Sequence, residues 1–194
     1  MTPQNLPALD LFSKPITEMR MSAAISDCQT YRTELRRIWD DAKPVLVVCM
    51  LNPSTADHRK NDPTVLALIH FARLWGYGGI LIINLFSYRS TSPTKMRAAA
   101  GAAFGPDNAT TIERTLSFAR HAGRPILAAW GANGDHEDRA EWFCARARKH
   151  MVDLICLGLT KDGHPKHPAA RGPHRIPRDQ QPIMWRPWRL PEVS

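Results

Sequence analysis

No apolar run in the sequence approaches the roughly 20 residues that a membrane-spanning helix needs, so no membrane partner is expected. The opening stretch, MTPQNLPALDLFSKPITEM, lacks a basic segment followed by an apolar one, so no secretory leader is expected and cytoplasmic residence is. Cysteine is scarce and scattered. Cys28, Cys49, Cys144 and Cys156 make no CxxC pair, which points to reduced thiols and gives no support to an iron–sulfur cluster. Acidic residues are also in short supply, with 18 Asp and Glu against 26 Lys and Arg, for a net charge of +8. The shortage is greatest from Lys161 to Arg189, where Lys161, Lys166, Arg171, Arg175, Arg178, Arg186 and Arg189 face only Asp162 and Asp179. With Trp185 and Trp188 interspersed, that segment suits a phosphate backbone, although the same composition also fits a solvated tail.

What is present is ordinary for a globular chain. The 194 residues are 43% hydrophobic and 23% charged, enough for a single domain with a real core. Residues 1–21 are expected to form a loose, Pro-rich arm, with Met19 and Met21 as candidate alternative starts. Residues 22–194 are expected to form one α/β domain with a basic C-terminal segment from about 161 onward. Ala23–Asp40 is ambiguous between a helical stripe (Tyr31, Leu35, Ile38-Trp39) and edge strands.

From Pro44 the pattern clears. Val45–Leu51 is a continuous apolar run, as expected of a parallel strand buried on both faces. Asp62-Pro63 then has the form of an N-cap with proline at the first helical position, opening a helix to about Leu74. Further strands are predicted at Ile80–Ile83, Ile126–Trp130 and Leu154–Leu157. Further helices are predicted from Asp107 or Asn108 to about His121, and over Asp135–His150 with Trp142 and Phe143 facing the core. Alternating strands and helices predict a three-layer α/β/α sandwich around a mostly parallel sheet of four strands or slightly more. Such folds bind ligands beyond the carboxyl ends of the strands, where Asn52, Asn84, Gly131 and the loop 161–172 fall.

Four segments stand at those strand ends: MLNPSTAD (50–57), INLFSYR (83–89), AWGANG (129–134) and GHPKHPAARG (163–172). With NDPT (61–64) and WGYGG (75–79), they resemble the domain-of-unknown-function family numbered 1643, a family of short bacterial and phage proteins, over about residues 30–170. In order and position they also resemble, more distantly, the uracil-DNA glycosylase superfamily. That resemblance implies a glycosylase-like fold and a base pocket. Asn52-Pro53 would stand where glycosylases position the attacking water, with Asn52 the water-positioning residue and Pro53 and Ser54 against the base. Asn84 would read the flipped base, with Phe86 as the nearest aromatic to stack on it and Trp130-Gly131 forming another wall. His167-Pro168 would match the late His-Pro motif, and Lys161, Lys166, Arg171, Arg175 and Arg89 would grip DNA.

The chemistry suits these residue types. Breaking an N-glycosidic bond passes through an oxocarbenium-like sugar and an anionic leaving base. A histidine N–H can stabilise that charge, and an asparagine amide can pair with a pyrimidine edge. Two departures narrow the expectation. Asn52 cannot accept a proton as an aspartate would, so it can only orient water, and Ala169 replaces the serine usual after His-Pro. The expected function is hydrolysis of a modified or non-standard base from DNA. The alternatives are a non-catalytic nucleic-acid or base binder, and an enzyme acting on free nucleosides or nucleotides.

Other groupings are incomplete. His164 with His167, or His136 and Glu137 with Glu141, show no full ligand spacing, so neither a metal nor another cofactor is expected. Asp57, His58 and Asp62 lie near enough in sequence to serve as acid or base, but Asp62 is better explained as a helix cap. Ser54 lacks a nucleophile elbow. A monomer is expected.

Overall fold

A computed structural model describes residues 19–189. It contains one seven-stranded sheet with helices on both faces. Four strands are the apolar runs of the sequence: β3 (Val45–Met50), β4 (Gly79–Asn84), β5 (Ile126–Ala128) and β6 (Leu154–Cys156). They are parallel and lie in the order β4-β3-β5-β6, so the chain winds outward from β3 in both directions.

The sheet is larger than four strands because antiparallel strands extend both edges. β1 (Arg20–Ile25) and β2 (Arg32–Ile38) form a hairpin that adds beside β4, and β7 (Ile183–Arg186) adds beside β6. The 23–40 segment is therefore strand, not helix. Residues 1–18 of the expected arm lie outside the described residues, whereas Arg20 and Met21 belong to β1.

Helix α1 (Pro63–Leu74) starts as its sequence dictates: Asp62 accepts the Val65 N–H at 2.9 Å and proline occupies the first turn. Its Val65, Leu68 and Ala72 pack on one face of the sheet with Leu46, Val48 and Ile82. The opposite face carries α3 (Asn108–His121) and α4 (Arg139–Lys149), through Ile112, Leu116, Phe143 and Ala147. Between β4 and α3 comes a short α2 (Pro93–Ala98), capped by Ser92.

The helix predicted from Asp135 begins only at Arg139. Glu137 and Asp138 take left-handed conformations, and irregular 3₁₀ turns fill 131–138. Phe143 is buried as expected, while Trp142 is half-buried beneath the Arg139 guanidinium, 3.7 Å from its ring.

The basic segment is docked rather than trailing free. Ile176 joins the α1-side core, His70 Nε2 lies 2.7 Å from the Arg178 carbonyl, and the Trp75 indole donates to Gln180 O at 3.0 Å. The chain then returns as β7. There Trp185 packs edge-on against Trp130, and Arg186 forms a forked pair with Glu141.

Candidate functional site

In a doubly wound sheet, a crevice opens where successive connections diverge to opposite faces, here between the carboxyl ends of β3 and β5. A cavity of about 390 Å³ occupies that crevice, lined by Asn52, Ser54, Thr64, Trp130, Gly131 and His167. Beneath it lies an inner cavity of about 60 Å³ that shares Asn52, Ser54, Thr64 and His167 and adds Arg32, Asp62 and Asn84. Asn52, Asn84 and His167 therefore line one continuous recess.

Asn84 is the last residue of β4, opposite Met50 of β3. The parallel ladder continues past it, with Leu85 N–H donating to Met50 O and Phe86 N–H to Leu51 O, both at 2.9 Å. Asn108 Nδ2 and Arg139 Nε both hold the Leu85 carbonyl at 2.9 Å. The strand end is thus rigid, yet the Asn84 amide is 1% exposed and neither its nitrogen nor its oxygen has a partner among the described residues. Each unmet buried group costs on the order of 1–3 kcal/mol, which a ligand bearing a matching donor and acceptor would recover.

Asn52 is occupied on one side. Its Nδ2 donates to Ser90 O at 2.8 Å and Pro53 O at 3.0 Å, while Ser90 N–H returns a bond to Pro53 O at 2.8 Å. The side chain fastens the loop after β3 to the loop after β4. Among the described residues, its carbonyl oxygen is the end left to meet a cavity occupant. Pro53 itself is buried and contributes its carbonyl to this fastening, not a cavity wall.

His167 reaches the recess on a hairpin closed by Lys166 N–H to Gly158 O and Thr160 N–H to His164 O, each 2.8 Å. The loop is tied to β5 by Gly131 N–H to Pro165 O at 2.9 Å. Gly131 has φ +76°, a backbone that favours glycine, and it faces His167, whose Cβ a side chain there would meet at 3.4 Å, in ordinary contact. His167 Nδ1 accepts the Ala169 N–H at 3.2 Å, which leaves the proton of a neutral ring on Nε2. Burial pushes the His167 pKa down against the opposing pull of Asp62, which favours that neutral donor form.

Two expected site residues stand elsewhere. Phe86 is fully buried in the α3–α4 core against Phe104 (5.3 Å) and His136 (5.5 Å), because the chain turns away from the recess after Asn84. The Arg89 guanidinium is directed to the turn before β2, donating to Gln29 O at 3.0 Å, rather than standing free for a phosphate. Trp130 lines the outer cavity, but its indole is otherwise packed between Phe143 and Trp185.

Lys161, Arg171 and Arg175 are exposed and Lys166 is half-buried, and none makes an ion pair among the described residues. Just beyond His167, Arg175 and Arg178 line a further cavity of about 170 Å³ with Pro168 and Ala169. No cluster of three or more His, Cys, Asp or Glu side chains is placed to hold a metal among the described residues. No helix among them is long and apolar enough to cross a membrane.

Arg32 was missed by sequence reasoning. It opens β2, is 3% exposed, lines the inner cavity and donates to Ala56 O at 2.7 Å. Only an assignment of β2 as a strand, with its inward alternation, would have pointed to it.

A family model described as "Protein of unknown function (DUF1643)" matches residues 32–169. The chain belongs to this family. The DUF1643 match begins at Arg32 and ends two residues beyond His167, so it spans every residue of the recess named above. Strands β1 and β7 and the arginines from Arg171 onward lie outside it. No curated protein and no solved structure matches the chain.

Proposed function

We propose that this DUF1643 protein is a DNA glycosylase-like enzyme that hydrolyses the N-glycosidic bond of a modified or non-standard base. The observation that carries the proposal is the Asn84 amide: buried, rigidly held, unpartnered on both atoms, and set in the recess beside His167. A base edge with one donor and one acceptor satisfies both atoms. The neutral His167 ring donates from Nε2 to an oxygen of the leaving base and lowers the cost of its developing charge. The Asn52 carbonyl orients the attacking water, and the unpaired cations beyond His167 hold the phosphates flanking an extruded nucleotide. The order of the strand-end motifs, like that of the uracil-DNA glycosylase superfamily, supports the same assignment.

The experiment is incubation with DNA and RNA oligonucleotides carrying uracil and a panel of modified bases, followed by alkaline cleavage of abasic sites. The expected result is cleavage at one such base, abolished by Asn84→Ala. No abasic product from any substrate overturns the activity.

One observation favours a second function, recognition of a base without turnover. The Asn52 amide nitrogen is committed to loop carbonyls, as a structural residue's would be. Base-dependent binding that survives Asn52→Ala, with no turnover, identifies that function.

A further inference from the structure

Arg32 has no counterpart in the chemistry assigned above. It is almost wholly buried, its guanidinium makes no contact ion pair among the described residues, and its Nε–H has no acceptor there. The charged groups acting on it are Arg37, Arg89, Asp57 and Asp62. Both carboxylates are directed to backbone: Asp57 accepts the Arg59 and Lys60 N–H groups, and Asp62 accepts that of Val65. Arg37 is bound by Asn61 Oδ1 and backbone carbonyls, and Arg89 by Gln29. Arg32 lines the cavity with Asp62 and the Asn84 amide, and with Arg37, Arg89 and Asp57 behind them three guanidinium groups stand against two carboxylates, an excess of one positive charge over the group as a whole. A buried cation without a contact partner is costly, and a bound anion removes that cost.

The inner cavity is too small for a nucleobase ring. At about 60 Å³ it admits a few waters or one small substituent, while the outer cavity of about 390 Å³ has room for the ring. We propose that the inner cavity is a carboxylate seat formed by Arg32 and Asn84, and that the base taken by this protein is a pyrimidine carrying a carboxylate on the edge that enters it. Arg32 is the specificity residue: its guanidinium meets the carboxylate, and the Asn84 amide meets the neighbouring ring atoms. The proposal rests on the base-pocket function above and names its substrate class.

The test is calorimetric titration of the full chain with three free bases: uracil, 5-carboxyuracil, and the methyl ester of 5-carboxyuracil. The ester retains the group's bulk and removes its charge, so the comparison does not depend on a variant folding. The expected result is that 5-carboxyuracil binds at least tenfold more tightly than uracil or the ester. Arg32→Met, with its fold checked by circular dichroism, should bring all three to one affinity, and Arg32→Lys should restore part of the preference. Equal affinities of the three bases for the unmodified protein overturn the carboxylate seat while leaving the base pocket standing. Inorganic phosphate or acetate binding as tightly as 5-carboxyuracil overturns the proposal in favour of a plain anion site. No binding of any base overturns both the seat and the base pocket.

Discussion

Asn84 stabilises nothing in the fold that hydrophobic neighbours could not, and its amide carries an unmet cost. Asn84→Ala should therefore leave stability within about 1 kcal/mol, as lost packing offsets relief of the unpaired amide, while removing base binding. A urea melt and a titration of the same variant separate the two effects. His167 gives a signed pH dependence. Its folded pKa lies below that of the unfolded chain, so over that interval the unfolded state binds more protons. Its contribution is fully present above about pH 6.5 and is lost as pH falls through the folded value. His167→Asn should flatten the acid side of a plot of Tm against pH, and an unchanged slope would contradict the assignment. Cys28 is the third residue with a checkable property. Hydrogen bonds from Ser26 and Thr30 bring its thiol to about 7, whereas burial pushes Cys144 to about 12 and raises Cys49 and Cys156. Iodoacetamide near neutral pH should label Cys28 first, as peptide mapping would show.

At the scale of elements, the recess depends on where α1 starts and how β5 ends. Asp62→Ala removes the cap on Val65 N–H and should cost about 1 kcal/mol, read as a lower urea midpoint with an unchanged slope. Gly131→Ala places a side chain at φ +76° and should cost roughly 1–2 kcal/mol through backbone strain, loosening the Gly131 N–H to Pro165 O bond that ties down the loop carrying His167. Base affinity should fall with it.

The four parallel strands were legible because burial on both faces leaves continuous apolar runs such as VLVVCM and GILIIN. The antiparallel strands were not. RTELRRI lies between β1 and β4 with Arg32, Glu34 and Arg37 buried among its apolar residues, and IMWR is an exposed edge strand, so neither forms a continuous apolar run. Asn52, Asn84 and Gly131 stood out as polar or glycine residues ending those runs, whereas Ser54, Trp130 and His167 were reached only through the motif resemblance. Arg32 was hidden with β2, and Phe86 was misplaced because the turn after Asn84 redirects a side chain that continued alternation would have sent to the recess side.

At the scale of the whole molecule, the excess positive charge divides between structure and surface. Arg37, Arg89, Arg139 and Arg186 are tied to carbonyls, aromatics or carboxylates, whereas Lys161, Lys166, Arg171 and Arg175 make no ion pairs among the described residues. The proposed DNA binding requires the affinity to fall with salt, by about 0.9 in the logarithmic slope for each phosphate neutralised. Replacing those four residues with Ala should reduce the slope by up to about 3.6 and leave thermal stability nearly unchanged. An unaltered slope would place the DNA surface elsewhere.

The proposed function requires the recess between β3, β4 and β5 to hold an extruded base read by Asn84. The most direct measurement is a crystal structure with a duplex carrying the excised base on a 2′-fluoro sugar, which resists glycosidic cleavage. The predicted result is a flipped nucleotide with its base edge paired to the Asn84 amide and an oxygen within hydrogen-bond reach of His167 Nε2. A duplex bound with every base stacked, or a nucleotide lodged away from Asn84, would contradict the account.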